Sequence, residues 1–214
     1  MLIRVRQELE KAKFQGSTSC KDMEILDSLP LLQSIYSEVL RLRVEGQHVL
    51  YSNKDFRLQD WIFPKHRLVL VPTSAAHLDK EFWNTKNDAH PLDTFWSDRF
   101  LVYGGDTTSG PRRNCSAGEY ADINASSKIK DTIRFKNNGL ADGFIPYGIG
   151  ERTCPGRAFS RQEILAFCGV IVYNFDIELL TAQKHFGSSM KFLGVGTESP
   201  AEKIPFRVRV RQVT

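Results

Sequence analysis

The chain has 214 residues, and 29 Lys and Arg set against 25 Asp and Glu leave a net charge of +4. Apolar residues make up 41% and charged residues 25%, a globular composition that excludes a mostly disordered or collagen-like chain and suits one domain, two at most. The positive excess is spread along the chain and implies no nucleic-acid partner. Four scattered cysteines (Cys20, Cys115, Cys154, Cys168) with no C-x-x-C pair exclude a disulfide framework or structural zinc as the default.

Met1 runs into the charged segment Leu2-Ile3-Arg4-Val5-Arg6, which predicts no apolar leader. Residues 2–13 read as an amphipathic helix with Leu2, Val5, Leu9 and Ala12 on one face, followed by a Gly/Ser/Thr loop over 15–21. A stronger helix follows, with Ser28 as cap, Pro30 in the first turn and a stripe of Leu32, Ile35, Tyr36, Val39 and Leu40. Short strands are expected over 48–52, 61–63 and 67–71. The tract 101–143, rich in Gly, Ser, Asn and Asp, reads as a long polar insertion. It contains two N-x-[ST] sequons, at Asn114 and Asn124, which read as chance matches to a short pattern. Phe159, Ile164, Leu165, Phe167, Cys168, Ile171 and Val172 mark a buried helix whose apolar run is too short for the roughly 20 residues a membrane crossing needs. The alternation of Phe206, Val208 and Val210 with Arg207, Arg209 and Arg211 predicts a strand, with 176–180 as its hairpin partner.

The stretch Tyr147-Gly-Ile-Gly-Glu-Arg152-Thr-Cys154-Pro-Gly156-Arg157 carries the chemistry. Pro155 is favoured at a first helical position, so Cys154 is expected near a helix N-terminus, where free N–H groups lower a thiol pKa. A thiolate held there is a nucleophile or a metal ligand. A nucleophile needs a base, and none of the five histidines has a context that marks it as one. Glycines at 148, 150 and 156 instead leave room for a large flat body at the backbone, which points to a haem.

This stretch resembles the cytochrome P450 haem-binding signature F-x-x-G-x-R-x-C-x-G, matched at Gly150, Arg152, Cys154 and Gly156, with Tyr147 in place of the usual Phe. The resemblance implies that Cys154 is the axial thiolate ligand of a haem b iron and that Arg152 pairs with a haem propionate. It also implies that Tyr147, Gly150 and Gly156 line the cofactor and that the Tyr147 hydroxyl alters hydrogen bonding at the sulfur. Glu38-Val-Leu-Arg41 matches the family's E-x-x-R helix, and Arg99 in Trp96-Ser-Asp-Arg-Phe100 resembles its third partner. Pro64-Lys-His66-Arg67 resembles a family turn with His66 replacing Gly. Alignment on Asp55 puts Leu50 where many members carry an Arg for the second propionate. These features are similar to fungal relatives of the prostacyclin-synthase and sterol-hydroxylase branch.

Tyr103-Gly-Gly-Asp106-Thr-Thr108 mimics the family's oxygen-activating A-G-x-D-T-T motif. No helical periodicity flanks it and it follows the E-x-x-R helix instead of preceding it, so it reads as a polar loop. The resemblance therefore implies a mainly α fold with small β-sheets: the C-terminal part of the P450 fold, without the N-terminal half and the central oxygen-binding helix, and with no catalytic residue identified. The implied activity is haem-thiolate monooxygenation of a small hydrophobic substrate (lipid, sterol or secondary metabolite), with electrons from an NADPH-dependent reductase. That reductase would dock on a basic face of Lys128, Lys130, Arg134, Lys136, Arg157 and Arg161. Alternatives are a haem-thiolate isomerase or dehydratase, or a truncated non-catalytic remnant. Full-length relatives lie at the cytosolic face of the endoplasmic reticulum membrane.

Overall fold

The structure is a computed structural model, and it describes residues 1–113, 132–182, 186–189 and 195–212. Helix α1 (Leu2–Lys11) buries Val5 and Leu9, one turn apart on one face. It ends with Lys13 in the left-handed region at φ 60°, the N–H of Phe14 bonding back to Leu9 C=O at 3.0 Å. Phe14 itself is buried, so the reversal is closed by an apolar contact. Helix α2 (Cys20–Ser28) is capped by Ser19; it starts inside the stretch 15–21 expected as loop and continues through residues to which the sequence pattern assigned no element.

Helix α3 (Pro30–Arg43) carries Pro30 at its start, as expected. Its cap differs from expectation. Ser28 closes α2, donating to Ile25 C=O, and the N-cap residue Leu29 has no capping side chain. The free N–H groups of Leu31 and Leu32 instead donate to the Glu8 carboxylate, at 2.9 and 3.1 Å, so α1 caps α3 across the core. Of the expected stripe, Leu32, Tyr36 and Leu40 are buried, while Val39 is exposed.

Strand β1 (Val44–Tyr51) lies between β4 (Leu68–Pro72) and β8 (Val195–Thr197) in an antiparallel sheet. Two-stranded sheets pair β2 (Phe56–Leu58) with β3 (Trp61–Phe63), and β5 (Leu101–Tyr103) with β6 (Ile133–Phe135). A further one pairs β7 (Phe175–Leu179) with β9 (Phe206–Val210), where Ile177 faces Val208. The expected C-terminal hairpin is therefore present, and the tract from 101 has ordered strands at both ends. The sequons at Asn114 and Asn124 lie outside the described residues.

Helix α4 (Thr73–His77) follows β4, and helix α5 (Arg157–Asn174) packs Leu165 and Gly169 inward. A Cβ on Gly169 would lie 2.6 Å from Leu26 Cδ2, so the missing side chain is what lets α5 approach α2. One core gathers Val5, Leu9, Phe14, Leu26, Leu32 and Leu165; a second gathers Trp83, Leu92, Phe100 and Leu140. Large apolar side chains remain outside both, among them Trp61 at 72%, Phe159 at 69% and Phe167 at 67% exposure. Phe159 and Phe167 were expected on the buried face of α5. No described helix is long and apolar enough to cross a membrane.

Candidate functional site

The cysteine turn begins where Phe144 packs against Trp83 and Phe100, and it runs out of that aromatic core to α5. Inside it Gly148 (φ 90°) and Gly150 (φ 60°) are left-handed, a conformation that costs an L side chain roughly 1–2 kcal/mol. A single 3₁₀ turn spans Gly150–Arg152, and the Cys154 N–H closes the loop on Tyr147 C=O at 2.8 Å. Helix α5 starts at Arg157 with Gly156 as N-cap. Pro155, expected at the first helical position, therefore precedes the cap, and Cys154 lies two residues before it, near the helix N-terminus. The Arg157 guanidinium donates to Cys154 C=O at 3.1 Å.

Cys154 is exposed and lines an open cleft of about 480 Å³ together with His48, Thr73, Gly148, Arg152 and Ile164. Three features at and beside the cleft fit a flat, acid-bearing cofactor, although Gly150 and Gly156 are not themselves among the residues that line it. A Cβ on Gly150 would meet nothing within 4 Å, and one on Gly156 only the Cys154 sulfur at 3.9 Å, so the backbone beside the thiol is bare. Arg152 is exposed and makes no ion pair among the described residues. Nε2 of His48 is buried with no hydrogen-bond partner, an orphan that calls for a polar group.

His48 was missed by sequence reasoning, which followed Leu50. Leu50 is 42% exposed and is not among the residues lining the cleft. The available signal was an imidazole in the strand two residues from Leu50, and therefore on the same face as that position.

Tyr147 also differs from expectation. Its hydroxyl bonds the Tyr36 hydroxyl of α3 at 2.5 Å, so it is committed to the helix instead of the sulfur. Burial, followed by the bond to Tyr147, holds the Tyr36 phenol well above its ordinary pKa.

Behind the turn, Glu38, Arg41 and Arg99 assemble as the resemblance implied, and all three are buried. Glu38 takes Arg41 at 2.8 and 2.9 Å and Arg99 at 3.0 and 3.1 Å, plus the Trp96 N–H at 3.2 Å. Each arginine spends its remaining donors on backbone carbonyls: Arg41 on His77 and Leu92, Arg99 on Asn84 and Pro91. Desolvation pulls the Arg99 pKa down, opposed by the Glu38 charge. His77 accepts the Ile145 N–H on Nε2 at 3.1 Å. It thus joins this network to the segment entering the cysteine turn, and burial lowers its pKa to about 4.

Other sequence features resolve simply. Asp106 accepts from the Thr108 N–H and hydroxyl, so Tyr103–Thr108 is a turn leaving β5, not a helix. His66 sits at φ 63°, the conformation that explains the usual Gly there. Of the basic face, Lys128 and Lys130 lie outside the described residues, and Arg161 is engaged by Asp27 and Gln33. Among the described residues no cluster of His, Cys, Asp and Glu forms a metal site.

The family profile for cytochrome P450 matches residues 2–206. Cytochrome P450 monooxygenase efuG of Hormonema carpetanum is 38% identical over 98% of this chain and 38% of its own length. Human prostacyclin synthase is 26% identical over 98% of this chain and 39% of its own. A solved structure, retinoic acid bound cyanobacterial CYP120A1, superposes with a TM-score of 0.66 at 21% identity, covering 98% of this chain and 38% of that one. The chain thus spans under two fifths of the length of these relatives and has a partial form of their fold. Fungal monooxygenases and prostacyclin synthase are among its relatives, in line with the expected resemblance. Members bind haem b through a cysteine thiolate, and this chain belongs to the cytochrome P450 family.

Proposed function

We propose that the chain is the C-terminal, cysteine-bearing part of a haem-thiolate monooxygenase, folded as one unit over 1–214 with a polar insertion at 101–143. The observation that carries the reading is the exposed Cys154 in a cleft beside a bare glycine backbone, with a guanidinium that makes no ion pair among the described residues and an orphaned imidazole. In this reading Cys154 Sγ is the metal ligand, and Tyr147, Gly150 and Gly156 shape the turn against the cofactor. Arg152 takes one carboxylate of the porphyrin. His48, on the face that lost its arginine at Leu50, offers a second polar contact. A haem held by a thiolate pushes electron density onto iron and favours O–O cleavage, which supplies the family's insertion of one oxygen atom of O2.

The chain's own contribution is binding and orientation. The buried Glu38–Arg41–Arg99 cluster fixes α3 against the segment 96–100, and His77 holds the Ile145 backbone that leads into the turn. The substrate is a small hydrophobic organic molecule, and the electron donor an NADPH-dependent reductase docking near Arg134, Lys136 and Arg157. Apolar side chains left exposed on β3 and α5 suit a fold in which further protein covers them. The test is Cys154→Ala in the intact, haem-loaded protein. The wild type is expected to give the ferrous carbon-monoxide spectrum of a thiolate-ligated haem and the variant to lose it. Survival of that spectrum in the variant removes Cys154 as ligand.

A further inference from the structure

Tyr147 is held at two ends. Its carbonyl accepts the Cys154 N–H at 2.8 Å, and its hydroxyl bonds that of Tyr36 at 2.5 Å. Tyr36 sits on α3 two residues before Glu38, and only 9% of its surface is exposed. The helix beneath it is fixed from three sides: its N-terminus by Glu8, its middle by the Glu38 cluster, and Ser34 by the Ser97 carbonyl at 2.6 Å. The turn above is held at its ends, by His77 and by Arg157, and its middle is open. Ile149, Glu151, Arg152 and Pro155 are exposed, and the bonds from Gly150 to Thr153 stay within the turn. Among the described residues, side-chain hydrogen bonds from other elements reach the turn at its entry, where His77 accepts the Ile145 N–H, and at its exit, where Arg157 of the adjoining α5 donates to Cys154 C=O; the Tyr36–Tyr147 bond is the one that ties it to α3.

From this we infer that the paired hydroxyls of Tyr36 and Tyr147 are a positioning device that ties the cysteine turn to α3 and so sets where the Cys154 sulfur stands. The inference rests on the haem-thiolate reading above. Ring packing alone asks only for an aromatic at 147, which Phe satisfies. The added oxygen matters because it meets a second oxygen placed for it in a core whose other buried members are Leu, Val and Phe. Removing one hydroxyl leaves the other buried without its partner, whereas removing both leaves neither orphaned. The two residues therefore act as a unit, and their substitutions are non-additive.

The experiment uses Tyr36→Phe, Tyr147→Phe and the double variant in the intact haem-loaded protein. It follows the rate at which the thiolate form of the ferrous carbon-monoxide complex converts to the neutral-thiol form, with the iron reduction potential as second readout. Each single variant is expected to convert about tenfold faster, equivalent to about 1.4 kcal/mol, and to shift the potential. The double variant is expected to be no worse than either single one. Conversion at the wild-type rate and an unmoved potential in all three overturn the inference, since Phe then serves equally well. A double effect equal to the two single effects combined overturns it too, because the hydroxyls then act separately. Tyr→Phe removes one oxygen and keeps the ring, and substitution from either end tests the same bond, so a folding defect at one position leaves the other decisive. A wild type with no thiolate spectrum refutes the haem-thiolate reading itself, an outcome distinct from these.

Discussion

Replacing Glu38 with Gln tests whether the buried three-residue cluster is what holds the fold together behind the site. The carboxylate serves two guanidiniums through four bonds of 2.8–3.1 Å and one backbone N–H at 3.2 Å. Gln keeps the shape but loses the charge, and turns an N–H₂ toward at least one guanidinium, donor against donor. Breaking a buried pair by removing one partner costs roughly 3–5 kcal/mol, because the surviving charge is left uncompensated. Here two cations share the anion, which points to the upper end, while their carbonyl acceptors at His77, Leu92, Asn84 and Pro91 limit the loss. A loss of about 4 kcal/mol is a large part of the roughly 5–15 kcal/mol available to a domain. The assay is urea denaturation of the intact protein followed by circular dichroism. With a slope of about 2 kcal/mol per molar urea, the midpoint is expected to fall by about 2 M. A midpoint within about 0.5 M of wild type would refute the argument, since the cluster would then be worth no more than a surface pair.

How far the sequence announced this arrangement depends on the range of the interactions. The apolar stripe of α3 and the alternation of β9 are local patterns, and each lies within a residue or two of its expected place. Helix α2 escaped notice because Ser17, Thr18 and Ser19 read as loop, and Ser19 is in fact the cap. Strand β5 escaped for a different reason. At three residues it carries no readable period, and it exists through pairing with β6 some thirty residues on. The same division runs through the site. Cys154, Arg152 and the glycines are legible because their spacing is local, as is the Glu38–Arg41 step on one helical face. The burial of that pair was not legible, since taken alone it reads as a solvated surface bridge. Nor were Tyr36, His48 and His77, each meaningful only through a neighbour distant in the chain: Tyr147, the cleft wall and the Ile145 N–H. Glu8 is the same lesson in reverse. Ser28 satisfied the local rule for a helix cap, and a carboxylate from another helix took the role.

Two other substitutions follow from backbone and titration. His66 at φ 63° pays for a left-handed conformation that Gly adopts freely, roughly 1–2 kcal/mol against a Gly unfolded-state cost of about 0.4–1. His66→Gly is thus expected to raise stability by about 0.5 kcal/mol, read as a higher melting temperature, and a lower one refutes it. His77 gives the protein an acid limb. Its Nε2 must stay unprotonated to accept the Ile145 N–H, and the Arg41 guanidinium and His48 also disfavour a cation there, so its pKa falls from 6.5 to about 4. The unfolded chain takes up this proton near pH 6.5 and the folded chain only near pH 4. Between those values the unfolded state holds more protons, so stability must fall as pH falls; it is full above pH 6.5 and levels off below pH 4. The whole difference amounts to roughly 3 kcal/mol. In His77→Gln an amide oxygen accepts the same N–H without titrating, so the variant is expected to lose this component of the slope. Urea midpoints measured from pH 7 to pH 4 decide it: parallel curves for wild type and variant mean that the buried imidazole is not what makes the fold acid-sensitive.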